Sequence, residues 1–398
     1  MENNLLQYRE EVTNELHNIL AYWIKHTPDN ANGGFVGRID HDGTIHADAP
    51  KGSVLNSRIL WSFSAAYNLT GNNEYLATAE RAFDYLLHHF FDPNFGGVYW
   101  TVGASGKPLD TKKQIYALAF AIYGASEYFL AAKDERAKAL AQQLYYDIVK
   151  YSYDVKHGGY LEALSQNWQE LDDLRLSAKD ANEKKSMNTH LHVLEAFTNL
   201  YRIWPDEDLK VRIEELMTLF LDHIIGEDNH LILFFSDRWE PRSRIISYGH
   251  DIEAAWLVQE AAALVGNETL LLQVKEKSVA VAKAAAEGLD SDGGLWYEHD
   301  RATGHTVREK HWWPQAEAMV GFLHAWQESG DENFLQQSWQ SWNFSKAHLL
   351  DKEEGEWVWG VKEDYSVMTE EDKVGLWKCP YHNSRACMEV VRRISARP

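Results

Sequence analysis

Apolar residues recur three and four positions apart in twelve stretches of this chain, and the stretches are of two kinds. Near residues 5–25, 73–91, 134–152, 206–225, 267–288 and 331–350 they form one stripe on a charged background. Ala79, Ala82, Phe83, Leu86 and Leu87, with Glu80 and Asp84 between them, are an example. Near 55–69, 113–132, 186–203, 248–265, 311–329 and 379–394 the pattern is apolar on most sides and rich in small residues. A helix apolar nearly all round must be covered nearly all round. The two kinds alternate, which predicts six inner helices wrapped by six outer ones, an all-α (α/α)6 barrel. An open solenoid of the same pairs is the alternative. It needs polar capping repeats, which neither terminus clearly offers.

A Gly-plus-aromatic mark separates each outer stretch from the next inner one. It reads Gly33-Gly34-Phe35, Gly96-Gly97-Val98-Tyr99, Gly158-Gly159-Tyr160, Gly293-Gly294-Leu295-Trp296 and, more weakly, Gly355-Glu356-Trp357. The steps are 63, 62, 135 and 62 residues, so the long step hides one degenerate copy, expected at His230 to Trp239. The alternation around Val98 to Val102 reads as short strands or hairpins at one end of the barrel. Each hairpin then delivers the chain to the start of an inner helix, and six such starts converge on one mouth. No Pro/Ser-rich linker or composition break interrupts the 398 residues, so one catalytic domain over 1–398 is expected.

A formal charge of -21 without basic runs argues against nucleic acid or an anionic membrane surface as partner. The start lacks a secretory signal, and no 18-residue apolar run is apparent, so no membrane span is expected. Cys379 and Cys387 make no metal-ligand pattern and read as reduced thiols of a cytoplasmic protein. Many of the sixteen tryptophans and 19 tyrosines are expected in the core, but such abundance also suits a cleft that stacks flat rings on a ligand.

Titratable and polar residues do gather in the first turns of the inner helices: Arg58, Tyr116, Asn188, His190, His192, His250, Glu253, Trp313, Glu317, His382 and Arg385. His250 and Glu253 share a helix face, with Trp256 less closely aligned. A carboxylate one turn from an imidazole can fix its tautomer and raise its basicity; the competing reading is a His–Glu pair that merely caps a buried helix. His382 follows Pro380 in another first turn, where backbone bonding is the competing reading. Asn188 and His192 share a face, and His190 reads as structural. Two histidines from different inner helices can approach a carbon from opposite sides, as a two-base proton transfer requires. No compact ligand set argues for a metal, and no phosphate-binding loop argues for a nucleotide, so no cofactor is expected.

Five ordered motifs, LNSRILW (55–61), KSMNTHLHVLEA (185–196), SYGHDIEAAW (247–256), KHWWPQAEA (310–318) and LWKCPYHNSR (376–385), resemble the N-acylglucosamine 2-epimerase superfamily, its cellobiose 2-epimerase branch most of all. The resemblance spans nearly the whole chain. It implies an (α/α)6 barrel and a cofactor-independent isomerase that opens a sugar, deprotonates C2 to a cis-enediolate and reprotonates the other face. By motif, His250 and His382 would be the acid/base pair, and Glu253 would orient or activate His250. His192 would assist ring opening, with Asn188 beside it, and Arg58 would hold the enediolate oxygen. Trp313 and Trp377 would stack on the sugar rings, with Tyr116, Asp180, Trp256 and Glu317 as further substrate-binding candidates. Ser384 stands where many members carry Gly.

The implied substrate is the reducing-end glucose of a β-1,4-linked disaccharide, cellobiose or lactose. A mannose or N-acylglucosamine 2-epimerase and an aldose–ketose isomerase remain alternatives within the superfamily. An (α/α)6 glycoside hydrolase would need two carboxylates flanking the scissile bond, whereas histidines dominate these first turns. The expected partner is a small sugar, and the chain is expected to be a monomer or homodimer.

Overall fold

The computed structural model describes residues 2–396 and contains all twelve helices near the expected bounds. They are α1 (Glu2–His26), α2 (Ser53–Thr70), α3 (Asn73–Tyr85), α4 (Ile115–Ala132), α5 (Glu135–Tyr151) and α6 (Met187–Ile203). The second half repeats the pattern with α7 (Glu207–Leu219), α8 (Tyr248–Val265), α9 (Glu268–Ala285), α10 (Trp312–Ser329), α11 (Glu332–His348) and α12 (Tyr381–Ser395). Even-numbered helices form the inner ring, each packed on the next, and α12 returns to α1 and α2. The ring is closed, which removes the solenoid.

The turn from each inner helix to its outer partner is written locally. Inner helices α2, α8 and α10 end in left-handed glycines, Gly71, Gly266 and Gly330. The next residue, Asn72, Asn267 or Asp331, caps the outer helix through its side chain, as Asp134 and Asp206 do for α5 and α7. A two-residue corner holds each such pair antiparallel.

At the other end, short strands stitch the repeats together. The two or three residues before five of the six inner helices pair antiparallel with the next repeat's hairpin: Lys51–Gly52 with Thr101–Val102, Lys113–Gln114 with Ala163–Leu164, Lys185–Ser186 with Phe234–Phe235, Ile245–Ser247 with Glu298–Asp300, and Lys310–His311 with Gly360–Val361. A bridge between Ile39 and Val374 closes this upper ring as well.

Each Gly-aromatic turn also carries an aspartate that the sequence pattern alone did not single out. Asp29, Asp92, Asp154 and Asp290 follow the outer helices, accept backbone N–H bonds of their own turn, and bind the lysine that leads into the inner helix. The pairs are Lys51–Asp29 (2.8 Å), Lys113–Asp92 (2.9 Å), Lys185–Asp154 (2.8 Å) and Lys310–Asp290 (2.9 Å). In the last repeat Lys378 binds Glu356 and Lys373 binds Asp351. These buried struts fix where each inner helix begins.

The fourth repeat differs. Its turn lies at Gly226 to Leu231, just ahead of the expected stretch, and Gly226 and Ile246 stand at the two strut positions. There His230 bonds Asp251 of α8 at 2.7 Å instead, and Asp251 also accepts the Leu231 N–H. One expectation needs correction. Among the described residues α4 is long and apolar enough to cross a membrane, but 78% of it is buried as an inner helix of the barrel.

Candidate active site

Inner helices repeat side-chain height every three or four residues, so equal positions form layers. The sixth residues are Arg58, Phe120, His192, Glu253 and Glu317, joined by Arg385 when α12 is counted from Pro380. Second and third residues lie one layer closer to the mouth and include Tyr116, Asn188, His250, Trp313 and His382. Nine of the twelve predicted residues therefore come together in two adjacent layers, while Trp256 lies one layer deeper and Asp180 and Trp377 lie outside the inner helices.

The layer of sixth residues is a charge network. Arg385, 1% exposed, reaches Glu253 (2.7 Å) and Glu317 (2.6 Å) with one terminal nitrogen, and Glu195 and the Tyr381 hydroxyl with the other. Glu317 also accepts from the Trp256 indole (3.1 Å) and bonds His382 Nδ1 (2.7 Å). Glu195 bonds His192 Nδ1 (2.9 Å) and the Tyr381 hydroxyl (2.5 Å). Against the cost of burial, Arg385 and His382 hold Glu317 below the usual carboxylate range; burial and the Glu317 charge push Glu253 up.

These contacts correct several expected roles. Glu253 bonds Arg385, and the partner of His250 is the Ser247 hydroxyl, 2.8 Å from Nδ1. Glu317 and Trp256 are 0% and 1% exposed, and Glu317 bonds His382 while the Trp256 indole bonds Glu317, so burial leaves neither open to a sugar. Asp180 sits in the third hairpin, bonded to the Ser177 N–H, where its charge reaches Tyr297 and Glu298 of the fifth repeat. His190 is structural: Nε2 accepts from the Tyr160 N–H (2.9 Å) and Nδ1 donates to the Ser186 carbonyl (2.6 Å).

His250 and His382 flank Trp313, with ring centroids 4.7 and 5.7 Å from it. Gly249 permits this, because a Cβ there would fall 2.6 Å from the Trp313 ring. Both imidazoles bond through Nδ1, which leaves each Nε2 without a partner among the described residues. Burial pushes both down to about 3, so both are neutral bases across the neutral range. Arg58, 3% exposed, donates to the Tyr116 hydroxyl (2.7 Å) and lies over Phe120 and Tyr381 (4.2 and 4.9 Å), but among the described residues no carboxylate pairs with it and its Nε has no partner. Trp377, half-buried, packs near Tyr116 (6.0 Å) and Trp100 (5.8 Å) at the rim.

Sequence reasoning missed Ser247, Glu195 and the hub role of Arg385. Two signals were available: Ser247 and Glu195 each lie three residues from a histidine, and Arg385 shares the register of Arg58 and Glu317. The one group of His, Asp or Glu side chains among the described residues that could hold a metal ion is Glu253, Glu317 and His382. The Arg385 guanidinium already supplies the cation there.

The model of the N-acylglucosamine 2-epimerase family matches residues 33–386. The chain is 48% identical over 385 residues to a cellobiose 2-epimerase of Bacteroides fragilis, covering 96% of this chain and 98% of that one. A cellobiose 2-epimerase of Dictyoglomus turgidum is 38% identical, covering 97% and 98%. The solved structure of a cellobiose 2-epimerase from Bacillus thermoamylovorans superposes with a TM-score of 0.93 at 37% identity, covering 99% of this chain and 100% of that one.

Proposed function

The chain belongs to the N-acylglucosamine 2-epimerase family and is a carbohydrate epimerase, and from that premise we propose that it inverts C2 of the reducing-end glucose of a β-1,4-linked disaccharide such as cellobiose or lactose. The supporting observation is one buried cation without a counter-ion, Arg58, in a site that also presents two neutral imidazoles from different helices.

Each part has a task that follows from its chemistry. The opened sugar has an aldehyde at C1, which acidifies the C2–H bond. One neutral imidazole takes that proton through Nε2, and negative charge develops on the C1 oxygen as the enediolate forms. A buried, unpaired guanidinium costs free energy until an anion arrives, so Arg58 favours the enediolate over the neutral sugar. The other histidine, having taken up a proton from solvent on Nε2, delivers it to the opposite face of C2, and the first histidine returns its proton to solvent. His192, held by Glu195, assists ring opening, with Asn188 beside it. Trp313 stacks on the reacting ring and Trp377 on the second ring at the rim, where Trp100 extends the aromatic surface.

Hydrolysis is disfavoured by the same geometry. Glu195, Glu253 and Glu317 are at most 5% exposed and tied to Arg385, so no pair of carboxylates is free to flank a glycosidic bond. The test is a panel of glucose, mannose, N-acetylglucosamine, cellobiose and lactose in D2O, read by NMR. Deuterium at C2 with inversion of the disaccharides is expected. Release of monosaccharide, or inversion of the monosaccharides alone, overturns the reading.

A further inference from the structure

The layers of the inner ring continue below the site. Ninth positions bring in Trp61, Tyr123 and Trp256, and thirteenth positions Glu127, Asn199 and Glu260, around a cavity of about 560 Å³ at the opposite end of the barrel. Its inner wall includes Glu195 and Arg385. These side chains also face the active site, where they hold His192, Glu253 and Glu317, so a single layer separates the two spaces.

The lining restricts what could bind there. Three carboxylates around it have an arginine partner, Glu127 with Arg202 (3.2 Å), Glu260 with Arg393 (3.2 Å) and Glu389 with Arg392 (3.0 Å), and Glu195 shares Arg385 with Glu253 and Glu317. An ion therefore gains little. Among the described residues no carboxylates of this cavity lie close enough together to hold a metal. What remains is hydrogen-bonding capacity. Tyr123 is 8% exposed and its hydroxyl makes no hydrogen bond among the described residues; the indole N–H of Trp61, stacked on Tyr123 at 5.0 Å, is buried and also unpartnered. Fixed donors and acceptors with cancelled charge beside aromatic edges match a neutral molecule carrying many hydroxyls, and the volume is in the range of small-molecule sites.

We propose that this rear cavity is a second binding site, for a neutral polyhydroxylated molecule of sugar size. It is distinct from the catalytic site and does not depend on which sugar is epimerised. The test titrates the full, 15N-labelled chain with methyl β-glucoside, whose methyl group on C1 prevents ring opening and hence reaction. The indole N–H resonances of Trp61 and Trp256 are expected to shift saturably. Both shifts are expected to be lost in Ala263→Trp and in Thr198→Trp, which fill the mouth from α8 and α6. Ala263 is exposed, so that variant retains the fold even if Thr198→Trp does not. Resonances that stay still in the unmodified protein, or that still move in Ala263→Trp, overturn the proposal.

Discussion

The two histidine walls of the site are built differently. His382 rests on Glu317, which is itself held by Arg385 and Trp256, and a lysine–glutamate strut fixes the entry to its helix. His250 has one neutral hydroxyl, Ser247, and sits on the repeat in which Gly226 and Ile246 take the strut positions. A carboxylate on Nδ1 stabilises the imidazolium formed when Nε2 takes a proton; a hydroxyl does so far less. The contrast teaches that equivalent positions in a repeat can receive opposite electrostatic support, giving one imidazole suited to holding a proton and one suited to staying neutral.

Removing either wall should have the largest effect. His250→Ala and His382→Ala are each expected to lower C2 exchange in D2O by on the order of 10³-fold or more, with unchanged circular dichroism. Full exchange in either variant would falsify the two-base assignment.

The struts test the second half of the contrast. Lys113→Met strands Asp92 in a pair that is 0% exposed on both sides, and should cost about 3–5 kcal/mol in reversible unfolding. The double change Asp92→Gly with Lys113→Ile copies the fourth repeat and should cost less than the single change. A larger loss in the double variant would mean that the ion pair itself, rather than the unpaired carboxylate, sets the stability.

The supports of the two histidines come next. Glu317→Gln should lower turnover by on the order of 10²-fold. Ser247→Ala removes one neutral hydrogen bond and should lower it by roughly tenfold or less. Equal losses in the two variants would erase the asymmetry.

The smallest effect is on pH dependence. His250 and His382 are about 3 in the folded protein, and His190 about 4, against an unfolded value near ~6.5. The unfolded chain therefore binds more protons in that window. The stability these groups contribute is complete above about pH 6.5 and is lost as pH falls, through about 4 for His190 and about 3 for His250 and His382. Thermal melts at stepped pH should show a falling midpoint, and the fall should be shallower in His190→Gln.

Much of this was legible in the residues. The 3.6-residue pattern and the Gly-aromatic spacing gave twelve helices and their alternation, because burial on one side or on all sides leaves its mark on composition. His250, His382, His192, Asn188 and Arg58 were visible because the topology sends every inner-helix start to one mouth. Glu253, Glu317 and Trp256 were placed at the site but in the wrong roles, since spacing along one helix favours partners within that helix. Glu253 and Glu317 are held by Arg385 of α12 and Trp256 by Glu317 of α10, each more than sixty residues away in sequence.

The sequence by itself determined the ring of helices, the end at which chemistry gathers and the residue types available, because periodicity and turn chemistry are local. Only the tertiary structure decided which carboxylate serves which histidine, that Arg58 has no carboxylate partner among the described residues, and that a cavity opens at the opposite end of the barrel. Those facts depend on distances between helices, and one guanidinium shared among three carboxylates is settled by packing.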